Sequence, residues 1–126
     1  MRTRKRAAYS EVEVRLRAAG PDRTDFELEH VAKVDPQMWG RFGPGAVGVG
    51  WDLGLMGLAN HLASGAAVDP AAAFAWQRSA EGKATMRAYS EAWGRASIAA
   101  GTDEAAALAA ARRTSAFYTG EPDGGG

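Results

Sequence analysis

Two stretches near the start of the chain alternate apolar and polar residues. From Ser10 to Arg17, Val12, Val14 and Leu16 fall on one face and Glu11, Glu13, Arg15 and Arg17 on the other, the period of two that marks a half-buried strand. Gly20-Pro21-Asp22 supplies turn residues. A second alternation over Thr24 to Val34 sets Phe26, Leu28 and His30 against Glu27 and Glu29. The spacing predicts an antiparallel hairpin over 9–34 with one wet face.

The period then lengthens. Asp35-Pro36 joins an N-cap to a proline at the first helical position and opens a short helix through Met38 and Trp39, which Gly40 and Gly43-Pro44-Gly45 break. Over 46–63, Val47, Trp51, Leu55, Leu58 and Leu62 recur at the three- and four-residue spacing of one helical face, so a long helix is expected, with an apolar stripe that needs a surface to cover. Gly48, Gly50, Gly54 and Gly57 interrupt it. Each costs about 1 kcal/mol relative to Ala inside a helix, which predicts close approach to another element. Gly65 ends that helix, and Asp69-Pro70 repeats the cap-plus-Pro signal before a helix holding Phe74 and Trp76. A break is expected near Glu81-Gly82. Met86, Tyr89, Trp93 and Ala96 then share a face of a helix ending at Gly101, and Thr102 is expected to cap a last Ala-rich helix through Phe117.

The fold class expected is α+β: an antiparallel hairpin packed on a long closing helix, followed by several further helices. The basic start 1–7 and the tail 119–126 are expected to be disordered. An isolated two-stranded sheet is at best marginal in water, so the hairpin is expected to gain strands from another copy, from another chain, or from an N-terminal portion absent here. The last is the preferred reading.

A length of 126 residues fits one domain. Fifteen Lys and Arg balance fifteen Asp and Glu, so no overall field draws the chain to nucleic acid. There is no Cys, which removes disulfides and thiolate chemistry and fits a reducing compartment. Arg2, Arg4, Lys5 and Arg6 resemble a signal n-region, but Glu11 and Glu13 arrive before an apolar stretch can form. The most apolar stretch, Ala46 to Ala63, contains Asp52, Asn60 and His61, too polar for a membrane span. The expectation is a cytoplasmic bacterial protein with neither a membrane nor a nucleic-acid partner.

Three segments carry a resemblance: Phe26-Glu27-Leu28-Glu29-His30-Val31, the run from Phe42-Gly43-Pro44-Gly45 to Trp51-Asp52-Leu53, and Gly57-Leu58-Ala59-Asn60-His61-Leu62. With the order of hairpin, linker and long helix, they resemble the C-terminal half of SRPBCC proteins, also called helix-grip or START-like domains. The bacterial group related to the heat-shock chaperone ATPase activator is the nearest match. Trp76 with Ser79 to Gly82, Ser90 with Ala92-Trp93, and Ala116 to Gly120 look like an extension that some members add after the closing helix. The resemblance implies a partial helix-grip domain over 8–64 and a helical extension over 69–118. It also implies an apolar cavity for a small molecule, or binding of a protein client, and that the first strand, lid segments and middle strands are not in this chain.

The polar candidates are few. Gly48-Val49-Gly50-Trp51-Asp52-Leu53-Gly54 imitates a dinucleotide-binding fingerprint, yet a Gly-Pro-Gly break stands where that motif needs a strand, so close packing is the reading taken. His30 and His61 are the side chains whose ordinary titration lies nearest neutrality. His30 reads either as a group reaching into a ligand cavity or as a hydrogen-bonded core residue, and His61 as a helix-end interaction. Asp52 reads as a ligand contact if its face points into the grip, and otherwise as a solvated carboxylate. No spacing suits a metal, and no cofactor is implied.

Three functions follow. The first is a non-catalytic module for an apolar small molecule or protein client, lined by Val14, Phe26, Leu28, His30, Trp51, Leu55 and Leu58. The second is a polyketide-cyclase-like enzyme using His30 or Asp52. The third is a homo-oligomeric interaction module, a homodimer for example, in which two hairpins form one sheet and the Trp-bearing helices meet across a two-fold axis.

Overall fold

The structure, a computed structural model, describes residues 10–123. The basic segment 1–7 and the last three tail residues lie outside them. The chain is α+β: two strands, β1 (Ser10–Gly20) and β2 (Arg23–Ala32), precede helices α1 (Pro36–Phe42), α2 (Gly45–Ser64), α3 (Pro70–Arg78), α4 (Ala80–Ala99) and α5 (Glu104–Thr119). It forms two compact units that divide between Asp35 and Pro36.

The first unit is the hairpin. β1 and β2 pair antiparallel, with Val12 opposite His30, Val14 opposite Leu28 and Leu16 opposite Phe26 on one face, and Glu13 opposite Glu29, Arg15 opposite Glu27 and Arg17 opposite Asp25 on the other. Pro21 and Asp22 form the turn between Gly20 and Arg23. Proline fixes a negative φ, and no described non-glycine residue takes a positive one. The turn is therefore not of the primed kind that follows strand twist. The mismatch is absorbed next door, where the register slips between Ala18 and Gly20, and Gly20 takes a φ of 150°.

The second unit is helical, and its core is made of small residues. Val49 and Met86 are its largest fully buried apolar side chains, joined by Ala107, Ala110 and Ala111, with Ser90, Ser97, Thr114 and Thr119 also buried. On α4, Met86, Ser90, Gly94 and Ser97 face Ala107, Ala110, Ala111 and Thr114 of α5. A Cβ built on Gly94 would lie 2.9 Å from that of Ala111, so the two backbones meet at a distance no side chain at 94 allows. Buried hydroxyls are satisfied locally: Ser90 donates to the Met86 carbonyl at 2.8 Å, and Thr114 to that of Ala110 at 2.9 Å.

Caps fix the corners, in two places differently from the sequence expectation. The break between α3 and α4 falls at Ser79, whose hydroxyl accepts from Gly82 N at 3.0 Å. Gly82 lies inside α4, where a Cβ would collide with the Trp76 carbonyl; its glycine marks the tight corner and not a helix end. The cap of α5 is Asp103, which accepts from Ala106 N at 3.1 Å, because the Thr102 hydroxyl is engaged by Ser97 at 2.8 Å. Asp69 caps α3 through Ala71 N at 3.0 Å, as its sequence signal predicts. Glu121, expected in the tail, pairs with Arg87 at 2.8 Å.

The face that α2 turns into this unit is Gly45, Gly48 and Val49. Val47, Leu58 and Leu62 of the apolar stripe stay exposed, Leu62 at 74%. The reason is Trp93 on α4: its indole occupies the space a Cβ at Gly48 would fill, so a large residue on one helix meets a gap on the other. Replacing Gly48 by Ala should therefore destabilise the chain by about 1–3 kcal/mol through overpacking. Gly54, with nothing within 4 Å of a built Cβ, should gain up to about 1 kcal/mol as Ala. Denaturant unfolding of the two variants reads both signs.

Candidate functional site

The residues proposed to line a binding surface fall into two sets, one on each unit. On the hairpin, alternation and register bring Val14, Phe26, Leu28 and His30 to the same face as Val12 and Leu16. Val14 is 49% and Phe26 42% exposed, while Leu28 and His30 are half-buried. On α2, Trp51 and Leu55 are half-buried and Leu58 is 40% exposed. Helical spacing places these three along one side of α2, with Leu55, two turns after Gly48, at the border of the Gly45, Gly48 and Val49 face.

The polar candidates are held by structural hydrogen bonds. Asp52 turns toward α4, where the Trp93 indole N–H donates to its Oδ2 at 2.8 Å. This bond needs the space Gly48 leaves for the ring. Asp52, Gly48 and Trp93 thus form one lock between α2 and α4. The signal for it was a glycine one helical turn before an acid, a pattern that apolar periodicity passes over.

His61 sits in the last turn of α2, and its Nδ1 lies 2.8 Å from the Ala66 carbonyl just beyond the helix. With a carbonyl there, Nδ1 carries the proton and donates. The interaction tethers the chain that leaves α2 through Gly65, in agreement with the helix-end reading. His30 has its Nε2 2.8 Å from Ser10 Oγ, across the hairpin from its neighbour Val12.

On the hairpin's opposite face Arg15 gathers three carboxylates, Glu13 at 2.8 Å, Glu27, and Glu29 at 3.3 Å. The charge of Glu13, followed by hydrogen bonds to Glu27 and Glu29, raises the guanidinium pKa still further above its usual value.

The junction of α1, α2 and α5 was not singled out by the sequence. The Thr114 hydroxyl, its one proton shared with the Ala110 carbonyl, lies 2.9 Å from the Phe42 carbonyl, and Arg113 of α5 donates to the Arg41 carbonyl at 3.2 Å, both at the end of α1. The Tyr118 hydroxyl donates to the Ala46 carbonyl. The Phe42 and Phe117 rings meet as a tilted pair, 5.7 Å between centroids. Helix ends leave carbonyls without intrahelical partners, and α5 side chains supply them here. The space enclosed by Phe42, Pro44, Trp93 and the α4–α5 seam is about 10 Å³, room for one water at most. It does not hold an apolar ligand.

Among the described residues no group of three or more His, Cys, Asp or Glu side chains is placed to hold a metal ion, and no helix is long and apolar enough to cross a membrane. No family model, curated protein or solved structure matches the chain.

Two outcomes follow. Asp52→Ala should cost about 1–3 kcal/mol, since it leaves a part-buried indole N–H without its acceptor, while Asp52→Asn, which keeps a carbonyl oxygen, should cost less; denaturant unfolding followed by Trp fluorescence separates them. Burial raises the Tyr118 pKa above 10.0, against a smaller lowering by the Gly50 backbone. A raised pKa on folding stabilises below the unfolded value and loses that contribution as pH rises through the folded value. Stability should therefore fall in the alkaline range above pH 10, and Tyr118→Phe should flatten that fall.

Proposed function

We propose that the chain is a non-catalytic binding module of the cytoplasm, taking an apolar small molecule or protein client. Each unit offers its own contact residues, Val14, Phe26 and Leu28 on the hairpin and Trp51, Leu55 and Leu58 on α2. One observation carries the reading: the large apolar side chains of both faces remain partly or largely open to solvent, while Asp52 and His61 are spent on internal hydrogen bonds. Apolar area left in water is the resource for association, and an apolar surface needs no reacting group. The resemblance to the C-terminal half of SRPBCC proteins supports the same reading, since that superfamily binds apolar ligands. The absence of Cys supports the compartment.

The test uses an environment-sensitive dye, anilinonaphthalene sulfonate, titrated into the folded chain. Binding should be saturable, and Leu28→Glu and Leu58→Glu should each weaken it about fivefold or more, because a carboxylate on an apolar contact surface must be desolvated to bind. Leu58 is exposed and Leu28 half-buried, and a retained circular dichroism melt shows that each variant is folded. Dye binding untouched by either substitution would remove the two faces as the binding surface.

A further inference from the structure

We infer that two copies of this chain pair through the outer edges of their β1 strands, making a four-stranded antiparallel sheet about a two-fold axis at Val14. Among the described residues β1 pairs only with β2, so its other edge presents backbone donors and acceptors. A two-stranded sheet is marginal, whereas three or more strands with an apolar face can be stable.

The occupant is chosen by charge. Along the polar face of β1 the order is Glu11, Glu13, Arg15, Arg17, acidic first and basic last. Antiparallel pairing about Val14 sets Glu13 opposite Arg15 of the second copy and Glu11 opposite Arg17, each pair formed twice. On the other face it sets Val12 opposite Leu16 and Val14 opposite itself. Every cross-strand charge pair is then attractive, and the apolar faces of the two hairpins run on into each other. Directly opposite residues of an antiparallel pair share a face, so an axis between two residues would set charged side chains against apolar ones. Moving the axis to Glu13 or to Arg15 sets that residue against its own copy. The register at Val14 is therefore selected over its neighbours.

The β2 edge does not offer this. Asp25, Glu27 and Glu29 alternate on its polar face, and every antiparallel self-pairing centred on a residue within 25–29 sets carboxylate against carboxylate. The hairpin's own electrostatics point the same way, because Arg15 is shared by Glu13, Glu27 and Glu29. The second copy's Arg15, opposite Glu13, supplies another guanidinium to a cluster rich in carboxylates. The pairing uses edges and leaves the apolar face open, so it does not depend on what that face binds.

The experiment exploits the absence of Cys. Opposed residues of paired strands lie at Cα separations that a disulfide spans. Mildly oxidised full-length Val14→Cys chain should crosslink to itself, and Val12→Cys and Leu16→Cys chains should not, since a two-fold axis at Val14 separates each from its own copy. Alongside, the mass of the unmodified chain is followed over a dilution series. Glu11→Arg, and Arg17→Glu with Asp25→Asn to avoid a like pair inside the hairpin, should each raise the dimer dissociation constant about tenfold or more, because each creates two like-charge pairs. Mixing the two should restore pairing, as both contacts become attractive between unlike copies. An unmodified chain that is monomeric throughout, a dimer indifferent to both charge reversals, a mixture that stays dissociated, or crosslinking at Val12 or Leu16 in place of Val14 would each overturn the inference.

Discussion

A two-stranded sheet cannot bury its own apolar face. Each strand of this hairpin directs its apolar residues to one side and its charges to the other, and the pairing of Val12, Val14 and Leu16 with His30, Leu28 and Phe26 concentrates them into one apolar surface. Nothing within two strands can cover that surface, since the side chains that could fold over it are the ones that form it. The proposed binding role and the proposed pairing of β1 edges are two consequences of this constraint: the face asks for an apolar occupant, and the edge for further strands.

The helical unit solves the opposite problem. It is rich in Ala and Gly and buries few of its large side chains completely, so its cohesion comes from backbones brought close together. Gly94 against Ala111, and Gly48 against the Trp93 indole, replace the interlocking of long side chains by short distances, over which dispersion contacts are numerous. The hydrogen bond from Trp93 to Asp52 and the α5 side chains that satisfy the α1 carbonyls fix orientation where apolar packing alone would leave the helices free to slide.

These two solutions explain how much the sequence revealed. The hairpin was legible because period-two alternation is sharp and Gly20-Pro21-Asp22 gives the turn; strands expected over 9–34 form over 10–32. The long helix was legible in extent, 46–63 against 45–64, but its inward face was not. Apolar periodicity selects Val47, Trp51, Leu55, Leu58 and Leu62, whereas the buried face is Gly45, Gly48 and Val49. Glycine has no apolar weight, yet here it is the residue that permits contact. The same blindness moved the break between α3 and α4 from Ser79 to Gly82, because a glycine at a crowded corner and a glycine at a helix end read alike. Of the candidate site residues, the hairpin set shares a face as expected, while Asp52 was not recognisable as the acceptor for Trp93, which lies forty-one residues on.

Amide hydrogen exchange on the full-length chain at rising protein concentration tests the central claim most directly, since exchange reports local opening. If the hairpin depends on association, the β1 and β2 amides should be weakly protected in dilute solution and gain protection as concentration rises, while those of α2, α4 and α5 stay protected throughout. Hairpin amides protected as strongly as the helices at the lowest concentration, and unchanged at the highest, would contradict it.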